Sequence, residues 1–348
     1  MKTVHAKNFD SMLKIADQVE SGKAYKVNGT PYRARPLGVW QGCYCTVAYD
    51  PPHMIWENNI ITDWCMQLRF KAKKANNFWN KTFSHTINYT QPKITKTLEG
   101  SWIWMPWEPE YVSHNNPWHI LIDCISKYYA LEKKYGMDAW EFPVLMPKLP
   151  DYMKKVMKVL HPGWHFNVTE MSKGDYFKID HAIVPSVPNH DDGVIHPSIV
   201  DYLYEKAKMH ITPKKHRKIY IDRKAPTRKV HNIEEIKTLL TNNGYEIFLL
   251  EEMDVQEQMN LFAGADTIVA NHGAGITNIL WSKPGTKIIE LTHPMSVKKV
   301  YSNLAHCKNL QYHCVIGEAI RVNVKEKLHR DTDYYNILVD KEELAKYL

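Results

Sequence analysis

The chain has 348 residues, of which 44% are hydrophobic and 24% charged, and its formal net charge is +7. These values are those of an ordinary globular protein with room for about two domains. The 6 cysteines are too few for a disulfide scaffold, and the positive charge is too evenly spread to indicate nucleic-acid binding. No apolar run reaches the roughly 20 residues of a membrane span, so we expect neither a signal peptide nor a transmembrane helix, and we expect a cytoplasmic location.

The first third of the chain is rich in aromatic residues. Residues 23–112 contain alternating segments such as SWIWMPW, which favour β structure. Trp102, Trp104 and Trp107 could stack on a sugar ring. Because Trp102 and Trp104 alternate on one face of a strand, we expect them in the core instead.

The next element is a helix in the stretch NNPWHILIDCISKYYALEKKYG, with Asn116 as its cap and Pro117 at its first position. His119 and Asp123 are four residues apart and therefore lie on one face of the helix. An imidazole beside a carboxylate can act as a general base for a hydroxyl nucleophile. The alternative is a histidine of the first turn that is hydrogen-bonded to a surface aspartate. The predicted apolar face contains Trp118, Leu121, Ile122, Ile125 and Tyr128.

Further α/β structure follows, because FPVLM, DYMKKVMKVL, HAIVP and PSIVDYLYEKAKMH read as strand, helix, strand and helix. Both halves of the chain are therefore expected to be α/β. The polar stretch MHITPKKHRK at 209–218 is the predicted boundary. It separates an N-terminal domain at 1–210 from a C-terminal domain at 211–348.

The second half predicts a parallel doubly wound sheet. Four apolar strands, at 217–222, 245–250, 267–271 and 287–291, alternate with three helices. Two capping boxes, Asn232 with Glu235 and Asp254 with Glu257, mark helix starts, while Gly244 and Gly264 mark helix ends. Ligands of such sheets bind beyond the carboxyl ends of the strands, so we expect the site there.

One strand of this sheet runs directly into the sequence NHGAGITN. The glycines expose backbone N–H groups at a helix start, which suits a phosphate or a diphosphate. His272 can donate to the same anion, and Asn278 can reach back from the first helical turn. The alternative is a tight strand-to-helix turn that needs glycine for steric reasons only.

Arg223 and Arg228 flank a proline-containing loop after the first strand of this half. Two guanidinium groups at a strand end can neutralise a diphosphate and stabilise it as it leaves. The alternative is a solvated basic loop.

Two weaker signals concern metals. Asp331 and Asp333 resemble the Asp-x-Asp that holds a divalent cation in metal-dependent sugar transferases, but they lie in a polar loop and not at a strand end. Two His-Cys pairs have no established zinc spacing, so we expect buried thiols there. These pairs are His306, Cys307, His313 and Cys314.

The order of the motifs resembles glycosyltransferase family 61, which includes plant xylan xylosyl- and arabinosyltransferases and animal O-linked GlcNAc transferases. The similar stretches are YIDRKAPTRKVHNIEEIKTLLTNNGYEIF and QEQMNLFAGADTIVANHGAGITNILWSKPGTKIIEL. Upstream, NNPWHILID looks like the family's Asn-x-x-x-His-x-x-x-Asp helix. The resemblance covers 217–291 and this helix, whereas residues 1–110 carry no family signature.

The resemblance implies a GT-B architecture, in which two Rossmann-like domains face a cleft. The C-terminal domain would bind the nucleotide-sugar, and the N-terminal domain would lie on the acceptor side. It also implies an inverting transferase that needs no metal and no other cofactor. The donor would be a UDP-sugar carrying xylose, another pentose or GlcNAc. The acceptor would be a hydroxyl of a glycan or glycoconjugate, as in polysaccharide biosynthesis.

The family pattern also assigns roles to individual residues. Asp123 is expected to be the catalytic base with His119 orienting it, and the two roles could be exchanged. Glu290, at the end of KIIEL, is expected to meet the ribose or the base. The remaining residues are expected to hold the diphosphate and the nucleotide: Arg223, Arg228, His272, Gly273, Ala274, Gly275, Thr277 and Asn278.

Eukaryotic members of the family are usually membrane-anchored, and this sequence shows no such segment, so we expect a cytoplasmic enzyme of a bacterial cell or of a virus-infected host cell. The positive charge is compatible with peripheral membrane contact. Two alternatives stay open. One is a metal-dependent transferase that uses Asp331 and Asp333, and the other is a non-catalytic nucleotide- or glycan-binding protein.

Overall fold

The chain divides into two compact units in a computed structural model. The first comprises Met1–Lys26 and Pro31–Ile199, and the second comprises Val27–Thr30 and Val200–Leu348. The structure describes residues 2–7, 12–48, 53–56, 59–61, 87–89, 93–106, 115–162, 167–172, 174–190, 193–213, 217–323 and 334–348. Across these ranges, no helix combines the length and the apolar character needed to cross a membrane.

The strands are numbered in chain order. Before residue 200 they are β1 Lys2–Lys7, β2 Asp17–Glu20, β3 Lys23–Val27, β4 Thr30–Ala34, β5 Leu37–Ala48, β6 His53–Trp56, β7 Asn59–Ile61, β8 Ile87–Tyr89, β9 Lys96–Trp104, β10 Val144–Pro147, β11 Val168–Met171, β12 Tyr176–Pro185, β13 Asn189–His190 and β14 Val194–Ile195. After residue 200 they are β15 Arg217–Asp222, β16 Tyr245–Leu249, β17 Ala265–Asn271, β18 Lys287–Thr292, β19 Gln311–Ile316, β20 Glu318–Arg321 and β21 Tyr335–Leu338.

The helical segments are of three kinds. A π-helix spans His119–Cys124. The α-helices span Tyr128–Tyr135, Asp151–Leu160, Pro197–Lys208, Ile233–Asn242, Val255–Gly264, Val300–Cys307 and Lys341–Ala345. Short 3-10 helices span Ile125–Lys127, Gly136–Trp140, Leu250–Glu252, Ala274–Trp281 and Pro294–Ser296.

The first unit contains a mixed sheet with the order β11-β10-β9-β12-β5-β6-β7-β1-β8, and β2 lies beside β5. Its strands β9, β10, β11 and β12 are mutually parallel, and helices connect β9 to β10 and β10 to β11, as in a doubly wound fold. From β12 onward, β5, β6 and β7 extend the sheet by antiparallel pairing. The predicted α/β structure is therefore confirmed, as is the aromatic-rich β region in the described part of 23–112. Only part of the sheet is Rossmann-like.

The aromatic residues of β9 lie in the core of this unit. Trp104 is 1% exposed, and the half-buried Trp102 packs against the same cluster. Both side chains share one face of the strand, because alternate residues point the same way. The core interpretation is confirmed for these two residues, whereas Trp107 lies outside the described residues.

The helix predicted after Asn116 is present but changes pitch. The Trp118 N–H donates to Oδ1 of Asn116 at 3.0 Å, which is the predicted cap. After this cap, the chain forms a π-helical turn, then a 3-10 turn, and then the regular helix Tyr128–Tyr135. π-Helical turns are rare and are often found at functional sites.

The second unit contains a parallel sheet with the order β16-β15-β17-β18-β19. The four predicted strands are confirmed, and their helices connect them in the doubly wound manner. The sequence did not suggest β19, because this edge strand is only partly buried and carries polar residues among its apolar ones. The carboxyl ends of β15, β17 and β18 lie at one edge of the sheet, where the candidate site is found.

The two predicted capping boxes have different outcomes. Asp254 and Glu257 form the reciprocal pair that was expected. At the other helix, Asn232 is the N-cap residue as predicted, but the capping box does not form, because its side chain makes no hydrogen bond to the helix backbone. The Asn232 side chain donates to Oε2 of Glu235 at 2.9 Å. Its amide accepts from the Val339 N–H at 3.1 Å and donates to the Val339 carbonyl at 2.9 Å. Asn232 therefore ties the C-terminal segment to the sheet.

Candidate functional site

Arg223 lies against the glycine-containing loop. The residue directly follows β15, and its Nε donates to the Thr227 carbonyl at 2.9 Å. A Cβ added to Gly273 would stand 2.5 Å from Nη1 of Arg223. The φ of Gly273 is 167°, which is extended backbone, so glycine is needed here for space and not for conformation. The structure thus brings Arg223 and Gly273 together.

The loop leads into the 3-10 helix Ala274–Trp281. A Cβ on Gly275 would lie 3.0 Å from Cδ1 of Leu250, so this glycine allows a second close approach. The first N–H groups of a helix have no partner within it and carry partial positive charge. The start of this helix and the Arg223 guanidinium therefore both favour an anion at the same edge of the sheet.

Asn278 is engaged within the protein. Its amide donates to Oε1 of Gln258 at 3.1 Å and to the Gly275 carbonyl at 3.2 Å, and it accepts from the Trp281 indole at 3.0 Å. All of these groups lie within the second unit. The side chain thus fixes the glycine loop and the helix behind it.

Two of the buried polar atoms at this edge that have no hydrogen-bond partner among the described residues lie close to the glycine-containing loop in sequence. One is Oγ1 of Thr277, a residue with no exposed surface, and the other is Nδ2 of Asn271. The Asn271 amide is oriented by the Tyr220 hydroxyl, which donates to its Oδ1 at 3.1 Å. Buried donors without a partner are costly, and ligand sites are one place where they persist. Asn271 was missed, although a polar residue that ends an apolar strand is a usable signal.

His272 belongs to a buried chain of three side chains. Its Nδ1 is hydrogen-bonded to Oε1 of Glu290, and the Tyr312 hydroxyl donates to Oε2 of the same carboxylate. The His272 ring also packs edge-on against Tyr301, with ring centroids 5.5 Å apart. The carboxylate of Glu290 is thus occupied on both oxygens by protein groups. Tyr312 was missed because its strand was not predicted.

Two acidic hydrogens near Glu290 stay bound at neutral pH. Burial, followed by the negative charge of Glu290, raises the pKa of the Tyr312 hydroxyl well above its usual value. The same causes raise the pKa of the Cys314 thiol to about 12. Tyr312 is therefore a permanent donor to the carboxylate. Cys314 is a protonated thiol that is only partly buried, which corrects the expectation of a fully buried one.

Arg228 is held by the C-terminal part of the unit. Its φ is +57°, in the left-handed region that non-glycine residues rarely adopt. Its N–H donates to the Tyr335 carbonyl at 2.9 Å, at the start of β21. Arg223 contacts the glycine loop directly. The backbone of Arg228, in contrast, is anchored to β21.

His119 and Asp123 form the predicted pair in the first unit. The Nδ1 of His119 is hydrogen-bonded to Oδ2 of Asp123 on the π-helical turn. Their side chains are 10% and 17% exposed, so the pair is largely shielded from solvent. A carboxylate bound to Nδ1 fixes the tautomer of the imidazole and orients its ring.

The metal signals find no support. Asp331 and Asp333 lie outside the described residues. In the part of the chain that the structure covers, no group of three or more His, Cys, Asp or Glu side chains is arranged to hold a metal ion. His306 and Cys307 lie in the helix Val300–Cys307, and the other His-Cys pair lies on β19.

Comparison with known proteins gives two findings. The family model described as Glycosyltransferase 61 matches residues 117–289, from the π-helical turn into β18. A curated protein named Beta-1,2-xylosyltransferase, from Oryza sativa subsp. japonica, is 29% identical over 90 residues. That match covers 26% of this chain and 16% of the rice protein's length.

Proposed function

Because the chain belongs to glycosyltransferase family 61, we propose that it is an inverting glycosyltransferase with a UDP-sugar donor. The acceptor is a hydroxyl of a glycan or glycoconjugate. The name of the rice relative favours xylose as the transferred sugar, while another pentose and GlcNAc belong to the same proposal. The doubly wound strand orders within both units support a GT-B architecture as part of it.

The contact between Arg223 and Gly273 carries the proposal. It combines a guanidinium group, an exposed backbone loop and a helix start at the carboxyl edge of a parallel sheet. When the bond from the sugar to the diphosphate breaks, negative charge grows on the diphosphate. Preorganised donors at that position stabilise the transition state more than the ground state. Arg228 supplies the second positive charge in this proposal.

The buried polar atoms complete the donor site. Thr277 Oγ1 and Asn271 Nδ2 can bond to phosphate or nucleotide, because neither has a hydrogen-bond partner among the described residues. Asn278 acts indirectly by holding the Gly275 carbonyl. Glu290 acts through His272 instead of meeting the ribose or base, because His272 and Tyr312 occupy its two oxygens.

The acceptor hydroxyl needs a base, and we assign this role to the pair of His119 and Asp123. Because Asp123 binds Nδ1 of His119, the geometry favours His119 as the base and Asp123 as the orienting group. The base removes the proton while the hydroxyl attacks the anomeric carbon from the face opposite the diphosphate. One displacement of this kind inverts the anomeric centre.

In this proposal, no metal is required, because the arginines and the helix start supply the positive field around the diphosphate. The competing possibility, a metal held by Asp331 and Asp333, predicts loss of activity with EDTA and recovery with Mn²⁺. Transfer that is unchanged by EDTA would support the metal-independent reaction.

The first experiment is a thermal-shift screen of the purified chain with UDP, UDP-xylose, UDP-GlcNAc and GDP, each with and without EDTA. Binding at 100 times Kd raises the free energy of unfolding by about 2.7 kcal/mol, which gives a shift of several degrees. We expect stabilisation by UDP and one UDP-sugar. Product analysis by NMR then reports the anomeric configuration. The absence of a shift with every nucleotide would contradict the proposal, and binding without turnover would favour the non-catalytic alternative.

A further inference from the structure

We propose that Tyr312 is a positioning residue that acts through Glu290 to hold the His272 imidazole ready for the departing diphosphate. This inference rests on the proposed function, which supplies the ligand. No sequence motif pointed to Tyr312. The evidence is a continuous chain of hydrogen bonds from Tyr312 to Glu290 and from Glu290 to His272.

The chain crosses three adjacent parallel strands. His272 follows β17, Glu290 lies in β18 and Tyr312 lies in β19. The register places Glu290 opposite Ala270 on one side and Cys314 on the other. Because alternate residues of a strand share a face, Tyr312 lies on the same face as Cys314 and reaches the carboxylate diagonally.

Because His272 and Glu290 are buried, the carboxylate needs a second hydrogen-bond donor, and Tyr312 supplies it. The side chains of His272 and Glu290 are only 6% and 2% exposed. A buried carboxylate is costly unless its oxygens accept hydrogen bonds, and here each oxygen has one donor. Without the Tyr312 hydroxyl, Oε2 would lose its donor, and the carboxylate could rotate away from His272.

The arrangement determines which ring nitrogen is available. Glu290 accepts from Nδ1, so the hydrogen on Nδ1 is fixed and Nε2 is the nitrogen left for a ligand. Nε2 has no hydrogen bond to any other described residue. When Nε2 carries a hydrogen, it can donate to a diphosphate oxygen, and the buried carboxylate balances the charge of the ring.

Tyr312 therefore has an effect that differs from a packing role. A residue that only fills space changes the stability of the fold. A residue that holds His272 in one orientation also changes the stabilisation of charge that grows in the transition state. The loss should appear in kcat more than in the KM of the donor.

The test compares Tyr312→Phe with Tyr245→Phe. Tyr312 is partly buried, and the control removes the hydroxyl of a buried tyrosine of the same unit, on β16, which has no part in the His272 chain. We expect Tyr312→Phe to lower kcat about 10-fold to 100-fold, as residues that orient a functional group do, with the donor KM changed less than about twofold. Tyr245→Phe is expected to keep its kcat. Equal kcat values for the two variants would overturn the proposal.

A second measurement does not depend on turnover. Nitrogen-15 NMR of the histidine rings reports which nitrogen carries hydrogen, and the signal of His272 is assigned by its loss in His272→Gln. We expect hydrogen on Nδ1 in the parent chain and a mixed or exchanging ring in Tyr312→Phe. An unchanged ring signal would overturn the positioning role even for an active enzyme. A changed ring in a chain that neither binds UDP nor transfers sugar would preserve the positioning and refute the proposed function.

Discussion

Two histidine-carboxylate pairs, one in each unit, have the same chemical groups but different surroundings. His119 and Asp123 lie four residues apart on one helical turn, and their side chains are 10% and 17% exposed. His272 follows β17 and Glu290 lies in β18, and their side chains are only 6% and 2% exposed. The first pair is therefore local and partly accessible, and the second is long-range and enclosed.

The difference suggests a division of labour. A base must exchange a proton with substrate and then with solvent, which suits a pair with some remaining exposure. A group that stabilises growing charge must instead stay fixed while the reaction proceeds, which suits a pair enclosed by a third partner. Substitutions in the two pairs and in the arginine-glycine contact test this division.

The largest effect is expected from Asp123→Asn. The amide cannot fix the same tautomer of His119, so the base is misoriented, and we expect kcat to fall about 1,000-fold. UDP binding, measured by thermal shift, should stay unchanged, because the pair belongs to the acceptor side of the proposal. Asp138→Asn, at an exposed position of the same unit, is the control. Near-normal activity of Asp123→Asn would remove the pair from the mechanism.

The two pairs should also differ in how much they stabilise the fold. Here the larger effect is expected from the pair of His272 and Glu290. Glu290→Ala leaves His272 and Tyr312 without their common acceptor in a buried site, and we expect a loss of about 3 kcal/mol in the free energy of unfolding. Asp123→Ala removes an acceptor that keeps more solvent exposure, so a loss of about 1 kcal/mol is expected. Urea denaturation measures both values. Equal losses would show that the two pairs do not differ in enclosure.

Substitution of either arginine should lower activity without unfolding the protein. Arg228→Ala is expected to lose most turnover, about 100-fold in kcat, while its melting temperature stays within a few degrees. Arg223→Ala should lower kcat to a similar extent. It should also reduce the rise in melting temperature that UDP produces. Lys224→Ala removes an exposed positive charge of the same loop, paired with Glu252, and should leave activity intact. If Arg228→Ala stays active, Arg228 has no part in the site.

The sequence predicted the local features well and the long-range ones poorly. The four strands of the second unit and the pair of His119 and Asp123 follow from periodicity and from spacing along one helix. The chain of His272, Glu290 and Tyr312 depends on the register of three strands, which no short window of sequence contains. For the same reason, the position of Glu290 at a strand end predicts a contact with the nucleotide, whereas its two oxygens accept from His272 and Tyr312.

Two further features could not be read from the sequence. The antiparallel extension of the first sheet depends on which strand pairs with β12, and alternating segments do not specify their partners. The role of Asn232 depends on Val339, which is more than a hundred residues away, so local capping rules identify the contact with Glu235 but not the one with Val339. In contrast, the cap at Asp254 was predicted because both of its members lie in one turn.

The smallest effect on activity is expected from Gly273→Ala, which tests the close approach that carries the proposed function. The added methyl group would meet the Arg223 guanidinium at 2.5 Å, and because this is the end of a flexible side chain, the arginine should move. We expect kcat/KM to fall about 10-fold, because a displacement of about 1 Å weakens the stabilisation of the diphosphate, while stability changes little.

Gly275→Ala is the matched control for Gly273→Ala, because its methyl group would meet Cδ1 of Leu250 at 3.0 Å and leave Arg223 in place. A larger loss for Gly273→Ala than for Gly275→Ala, together with a smaller thermal shift with UDP, would locate the diphosphate beside Arg223. Equal losses in the two variants would mean that the glycines serve the turn alone. In that case, the enclosed pair of His272 and Glu290 would have to find its ligand elsewhere.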